Sequence, residues 1–444
     1  MPEGTKFRLY LLVVVCTLAV AERLNAQTET VLYSFTGGSD GGVPYSGLVM
    51  DTEGNLYGTA QQYGNNSCAY SSSGCGTVFE LQRTSAGWNY EVLYNFQGGS
   101  DGWQPASVLT LDSKGNLYGT TQFGGAADSA GYGTVFELER TPSGWQESIL
   151  YAFTGGADGG NPTAGLVFDA AGNIYGTTGA HGNPNCQGVG CGVVFKLTPS
   201  PDGWKEAVLH TFTGLDGSDP TEGVTLVPAS GANPLLGPPG TIFGTTLYGG
   251  DSQLAYSGDG VVFQLIPSGG SYLYRTLYKF PSHLGNPGGP LIFDRSGSLY
   301  GMDGHGGSYG YGAVFELSVS ASQPFGSWVE RDIYPFYGPN GAFGLDQSVA
   351  MDKAGRLYGT TARGGTGSLC GDGCGTVFRL TKTAQGSWYE SGLYSFPGGT
   401  GGWELFSGVT LDQQGQLYGM TTTGGDLSCA GYEAGCGVVF QISP

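Results

Sequence analysis

Charge is scarce in this chain. Only 12% of its 444 residues are Asp, Glu, Lys or Arg, and Lys and Arg number 17 against 36 Asp and Glu. A protein that grips a phosphate backbone needs clustered Lys and Arg to displace counterions, so the net charge of −19 sets nucleic acid aside as a partner. Beyond residue 20 no apolar run approaches the roughly 20 residues of a membrane-spanning helix, which excludes such a span in the mature chain. The sequence offers no nucleophile elbow, no H-E-x-x-H helix and no phosphate loop with its lysine. Hydrolases and nucleotide-dependent enzymes of those kinds are thereby excluded.

What is abundant is glycine. The 84 Gly and 22 Pro approach a quarter of the chain, a proportion that borders on that of disordered proteins. Here, however, the glycines sit at fixed places between short runs of Val, Leu, Phe and Tyr, which reads as turns between strands. The runs themselves recur. LYGTT and its variants begin at Leu56, Leu117, Ile174, Ile242, Leu299, Leu357 and Leu417. GTVFEL and its variants follow at Gly76, Gly133, Gly192, Gly260, Gly312, Gly375 and Gly437. A third signature, LYSF-like, begins at Leu32, Leu93, Leu150, Leu209, Leu277, Ile333 and Leu393. Seven copies about 60 residues apart argue for one closed array in place of several domains.

Residues 1–26 read as a secretory signal, with Lys6 and Arg8 before an apolar run from Leu9 to Val20 and small residues after it. The rival, a retained anchor, needs a longer run. The chain ends by completing its last repeat, without an apolar tail, so a secreted, periplasmic or cell-surface location is expected for residues 27–444. Eight cysteines remain, as the local pairs Cys68/Cys75, Cys186/Cys191, Cys370/Cys374 and Cys429/Cys436. An even count in an exported chain predicts disulfides. A metal site is the competing reading, and it lacks neighbouring ligands at zinc-finger spacing.

Each repeat contains four candidate strands: an apolar run ending in Asp (a, as at 108–112), NLYGTT (b), GTVFEL (c) and WxExxLYxF (d). The a–b connection DxxGN has a mechanism: the Asp side chain accepts backbone N–H groups while Gly takes a positive φ. Asp51, Asp112, Asp169, Asp294, Asp352 and Asp412 are accordingly read as structural. Trp88, Trp145, Trp204, Trp328 and Trp388 open strand d, where packing between sheets is expected and a sugar-stacking platform is the alternative. The fold class that follows is all-β: a seven-bladed β-propeller of four-stranded antiparallel blades. The mature chain opens with a lone strand d and closes after a strand c, so pairing the N-terminal strand with the C-terminal blade would close the ring. An open solenoid is the alternative, without the atypical capping repeats it would need. In the fourth repeat the segment 228–240 replaces DxxGN, as a tolerated insertion or a partner contact.

Consecutive antiparallel strands place the a–b and c–d turns on one face and the b–c and d–a loops on the other. The second face carries the varied, Gly-rich, cysteine-bearing loops and is the expected functional face. Candidate ligand-binding residues there are Asp40, Asp101, Trp103, Asp158, His181, Asp216, Asp303, His305 and Trp403, with Asp128 and Asp251 in further b–c loops. Oxygen-rich turns make calcium the one metal ion to consider, although no EF-hand spacing is present. Catalytic residues are not singled out.

The ordered motifs D-x-x-G-N-L-Y-G-T-T, G-G, G-T-V-F-x-L and L-Y-x-F, from residue 30 to 443, resemble the GloVer tandem repeat of exported bacterial proteins, some of them called choice-of-anchor proteins. The resemblance implies an exported repeat protein, often fastened to the cell surface, and carries over no catalytic residues. The expected function is a non-enzymatic scaffold that binds an extracellular glycan or protein through its acidic loop face, without a cofactor. The alternative is a carbohydrate-active hydrolase or lyase using two loop carboxylates.

Overall fold

The computed structural model describes residues 27–443 apart from 65–67, 69–70, 127–129, 187, 230–232, 251–257, 282–284, 321–326, 343–347 and 430–433. The signal segment, Asp128 and Asp251 therefore lie outside the described residues. Seven antiparallel sheets follow one another. Six run a-b-c-d in sequence order, the second of them with the short extra strand Trp103–Pro105 paired to its strand b. The seventh takes its strand d from the other end of the chain. Blade 3 is representative, with strands Val167–Phe168, Ile174–Thr178, Val193–Ser200 and Gly203–Thr211. Strand a is shorter than the five-residue run in the sequence, because only two or three residues make ladder pairs in most blades. Blade 7 combines Thr410–Leu411, Leu417–Thr421 and Val438–Ser443 with the first strand of the chain, Thr28–Ser34. The register runs from Thr28 opposite Ser443 to Ser34 opposite Val438, so the ring is closed by the chain's two ends. Among the described residues no helix is long and apolar enough to cross a membrane.

The three repeated motifs are three sides of one contact. Gly58 in strand b faces Phe79 in strand c, and a Cβ built on Gly58 would lie 2.6 Å from the Phe79 ring. The same holds at Gly119, Gly176, Gly244, Gly301, Gly359 and Gly419, where the distance to the facing Phe is 2.5–2.7 Å. Glycine in LYGTT thus makes room for the aromatic ring of GTVFEL, a cross-strand pairing that fixes the register of b on c. The Phe of LYxF on the preceding blade then meets that ring edge-on. Phe35–Phe79, Phe153–Phe195 and Phe396–Phe440 are 5.0–5.4 Å apart, and the other four seams repeat the geometry. Such edge-to-face pairs add about 0.5–1.5 kcal/mol beyond the area they bury. A β-bulge at the Leu of LYxF, for example between Ile149 and Tyr151, aims the following Tyr and Phe at the next blade.

The tryptophans also join blades. Trp145 of blade 2 meets Tyr57 of blade 1, and Trp88 of blade 1 meets Tyr418 of blade 7, both edge-on at about 6 Å. At the a–b turns each repeated Asp closes its own hairpin. Asp169 accepts the N–H groups of Ala171 and Asn173, the Asn173 amide and the Tyr175 hydroxyl at 2.7–3.0 Å. In blade 4 the described end of the longer connection packs onto the body: Asn233 caps a short 3-10 turn, Pro234–Leu236, and Leu236 is buried with Phe243, Val262 and Phe315 in a core shared by blades 4 and 5. Its carbonyl accepts the Gln264 amide.

Candidate functional site

Four elements shape the loop face: the d–a loops, the seams beneath them, the b–c loops and the axial channel. In the d–a loops an Asp closes each turn from within. Asp40 accepts Tyr33 Oη at 2.9 Å and Thr36 N at 2.8 Å; Asp101 accepts Tyr94 Oη and Gln97 N; Asp158 accepts Tyr151 Oη and Thr154 N. Asp216 repeats the arrangement with Thr213 N and with His210 Nε2 at 3.0 Å. In blade 5 Asn340 takes the place of the Asp, accepting Tyr337 N and donating to Tyr334 Oη. The four sequence-predicted aspartates thus occupy four successive seams and are not gathered at one centre. Trp103 stacks on Phe123 at 4.6 Å and donates to Ala130 O, and Trp403 packs on the core beside the Cys370–Cys374 bridge.

Below these turns, the same Tyr, replaced by His210 in blade 3, faces a residue at one early position of strand d on the next blade. That residue is Glu147, Glu206, Glu330, Glu390 or Glu29 in five seams and a Tyr in two. Tyr90 stacks on Tyr33 at 3.8 Å and Tyr274 on His210 at 4.1 Å. Burial, with the nearby charge of Asp101, pushes Glu147 up to about 7, and burial with Asp158 does the same to Glu206. One carboxylate oxygen of Glu29, Glu147, Glu206 and Glu330 is buried without a hydrogen-bond partner among the described residues.

The b–c loops carry the four predicted disulfides, Cys68–Cys75, Cys186–Cys191, Cys370–Cys374 and Cys429–Cys436. They pack on the neighbouring d–a loops: Cys429 and Cys436 press on Gly37, and Cys374 on Gly398. In blades 2 and 5, where the second cysteine is missing, Tyr132 and Tyr311 stand in its place against Gly155 and Gly338, and in blade 4 the position is held by Asp259. His181 lies edge-on to Tyr132 at 4.8 Å, and its ring is held below the usual imidazole range by burial. Its φ of 65° is a conformation that glycine adopts at the matching position of other repeats, for instance Gly364 and Gly424.

Blade 5 departs most from the pattern. Asp303 stands where the other blades have Thr or Ala at the end of strand b, is only 2% exposed and accepts His305 N and Gly306 N at 3.1 and 2.9 Å. Burial pushes Asp303 up to about 7. With Glu330 and Asp332, both also raised by burial, and Tyr278, it lines a pocket of about 390 Å³ between blades 4 and 5. Among the described residues no group of three or more His, Cys, Asp or Glu is arranged to hold a metal ion. The string G-x-S-x-G does occur, at 37–41, 98–102 and 306–310, but each copy lies in a Gly-rich loop and none leads from a strand into an α-helix.

The axial channel is a cavity of about 660 Å³, lined by the inner segments of all seven blades. Sequence reasoning missed it, because its wall is made of the least distinctive residues: Gly47, Val108, Gly165, Gly223, Pro290, Ser348 and Gly408 hold matching positions. Its mouth on the loop face is marked by Tyr45 and Phe406, stacked at 4.9 Å, with Gln61, Gln122, Thr163 and Thr221.

A family model described as the Gloeobacter/Verrucomicrobia repeat matches the chain twice, over residues 23–233 and 230–444. The chain belongs to that family. Its two GloVer copies meet inside the long a–b connection of blade 4, so the boundary between copies falls within a blade and not between blades. No curated protein sequence matches the chain. Among solved structures, the GloVer propeller is similar to a gluconolactonase of Xanthomonas campestris, with 14% identity, 96% of this chain and 92% of the other covered and a TM-score of 0.41. It is similar also to the PQQ-bound aldose sugar dehydrogenase of Streptomyces coelicolor, with 12% identity, 94% and 98% covered and a TM-score of 0.43. Likeness at this level concerns the fold alone.

Proposed function

We propose that this GloVer protein is an exported, non-enzymatic scaffold that binds an extracellular ligand, a glycan or a protein, on its disulfide-bearing loop face. One observation carries the reading. Of the fifteen large apolar side chains that are exposed among the described residues, eight lie on the loop face, including Tyr309, Tyr337, Leu369 and Leu427, while the turn face has only Leu235. Apolar side chains concentrated on one end and rimmed by polar loops mark an interaction surface. Disulfides that anchor those loops to the blades hold that surface in shape, and they accord with an oxidising compartment. Of the sequence-predicted set, Asp40, Asp101, Asp158, Asp216, His181 and His305 serve in this reading as polar groups that hold the loops between the exposed side chains. Trp103 and Trp403 serve as aromatic packing beneath them, and Asp303, 2% exposed, takes no part in the surface. No cofactor is required, calcium included.

The test is a panel of polysaccharides and surface proteins scored for both retention and product release. Retention without release is expected, at least tenfold weaker in a Tyr309→Ser/Leu369→Ser double variant; retention unchanged in that variant would overturn the reading. A second reading, a carbohydrate-active enzyme, is favoured by Asp303, which keeps its proton to about 7 beside two other carboxyl groups. A protonated acid next to a carboxylate is what glycoside hydrolysis requires. Product release that vanishes in Asp303→Asn would replace the first reading with the second.

A further inference from the structure

We infer that the loop-face mouth of the axial channel is a binding site for a neutral, polyhydroxylated ligand, the chain end of a saccharide. This rests on the loop-face reading and names a site and a ligand class within it.

The size of the channel comes first. At about 660 Å³ it falls within the roughly 300–1,000 Å³ typical of ligand pockets. It stays open because the wall position carries nothing longer than Val in any blade, and Val108 is 40% exposed although it faces the axis of the ring. Some of that smallness serves packing: a Cβ on Gly408 would lie 2.5 Å from Ser348 O. At Gly223 a φ of 81° favours glycine by itself, and at Gly165 a Cβ would lie 3.3 Å from Val108 O, so the backbone also helps to keep the wall small.

Charge comes second. In a protein of net charge −19 the channel is almost neutral. Its one acidic or basic lining residue, Glu222, is buried and accepts Gly289 N at 2.6 Å and the Thr221 hydroxyl. An anionic ligand would lose its hydration and meet no cationic side chain in the lining, and the Glu222 carboxylate that a cation would seek is already bonded to Gly289 N and the Thr221 hydroxyl. An uncharged one loses far less.

The third argument is the chemistry of the mouth. Tyr45 and Phe406 are stacked across the seam between blades 7 and 1, both half-buried, with part of each ring left for a ligand. Aromatic faces of this kind bind the apolar face of a sugar ring, whose rim of hydroxyls then needs donors and acceptors. Gln61 and Gln122 supply amides, and Thr163 supplies a hydroxyl whose oxygen is buried without a partner among the described residues. A buried polar atom left unsatisfied calls for a partner. A purely apolar ligand would leave it so, whereas a sugar hydroxyl would satisfy it.

The experiment is calorimetric titration of the full chain with neutral oligosaccharides of three to six units, built from glucose, mannose, xylose or N-acetylglucosamine, and with matching uronate oligomers. At least one neutral series is expected to bind, with uronates at least tenfold weaker. Tyr45→Ala and Phe406→Ala should weaken that binding at least tenfold. Thr163→Val, which keeps the side-chain volume, should weaken it about threefold or more without shifting the melting temperature. No binding by any neutral series, stronger binding of uronates, or unchanged binding in both Tyr45→Ala and Thr163→Val would overturn the inference. The rim variant Tyr309→Ser/Leu369→Ser separates the two claims. Retention lost there but intact in the channel variants leaves the loop-face reading standing and removes the channel; retention lost in neither removes both.

Discussion

The two ends of the propeller are closed by the same device, an aspartate that takes up backbone N–H groups and a tyrosine hydroxyl, and they differ in what the device leaves over. At the turn face Asp51, Asp112, Asp169, Asp294, Asp352 and Asp412 each receive the Tyr six residues on, and little remains beyond the turn itself. At the loop face Asp40, Asp101 and Asp158 receive the Tyr seven residues back, yet the loops around them vary in length, in cystine content and in exposed apolar groups. A residue repeated at both ends is therefore scaffold at both. What distinguishes the loop face is the material between its clasps, together with the channel mouth that this material surrounds.

The sharpest way to break the comparison is to remove one clasp from each end of blade 3. Asp169→Ala strands two backbone N–H groups and the hydroxyl of Tyr175, a residue only 2% exposed, and is expected to cost about 2–4 kcal/mol of stability. Asp158→Ala opens a loop whose Thr154 is already solvated, and about 1–2 kcal/mol is expected. Chemical denaturation of both variants measures the difference. Equal losses would mean that the two clasps are equivalent and that the loop face owes its variability to something else.

A smaller effect is expected from the staples. Replacing Cys370 and Cys374 with Ala opens a bridge of sequence separation 4, for which loop-closure entropy gives roughly 2 kcal/mol at most. Because the bridge packs on Gly398, retention of a loop-face ligand should fall along with stability. A variant that loses stability but keeps full retention would show that the bridges serve the blade alone.

The scaffold was legible in the sequence because it repeats. Seven copies of Leu-Tyr-Gly, Val-Phe and Leu-Tyr-x-Phe announce a seven-fold ring, and the lone first strand announces its closure. The reason for each motif was not legible, since Gly58, Phe79 and Phe35 meet only when three strands of two blades are assembled. The same limit hid the site. Tyr45 and Phe406 are 361 positions apart and come together only through closure, while the channel wall is written in glycines that the eye assigns to turns. The loop aspartates drew notice because they repeat, and the structure shows that each is committed to its own turn.

The ends also differ in their response to protons, and this gives the finest test. At Asp169 burial alone would raise the carboxyl, but bonds from Asn173, Tyr175 and Ala171 outweigh it and hold the group below its ordinary value. Its contribution is complete above about pH 4 and is lost as pH falls through the folded value. Glu147, in the seam beside Asp101, is the reverse case: burial first, and the Asp101 charge second, raise it from 4.5 to about 7. Between those values the native state binds more protons than the unfolded chain, so stability is fully present below about 4.5 and declines as pH rises to 7. Solvent screening at this half-exposed seam reduces the decline to about 1 kcal/mol for this one residue. Glu147→Gln removes the titrating group while keeping the side-chain shape. It is expected to match the wild type at pH 4.5 and to exceed it by about 1 kcal/mol at pH 8, which denaturant titrations at the two pH values would resolve. If the two proteins instead keep a constant difference across that range, the seam glutamate is ionised throughout, and the contrast between an acid-sensitive turn face and a base-sensitive loop face fails at its source.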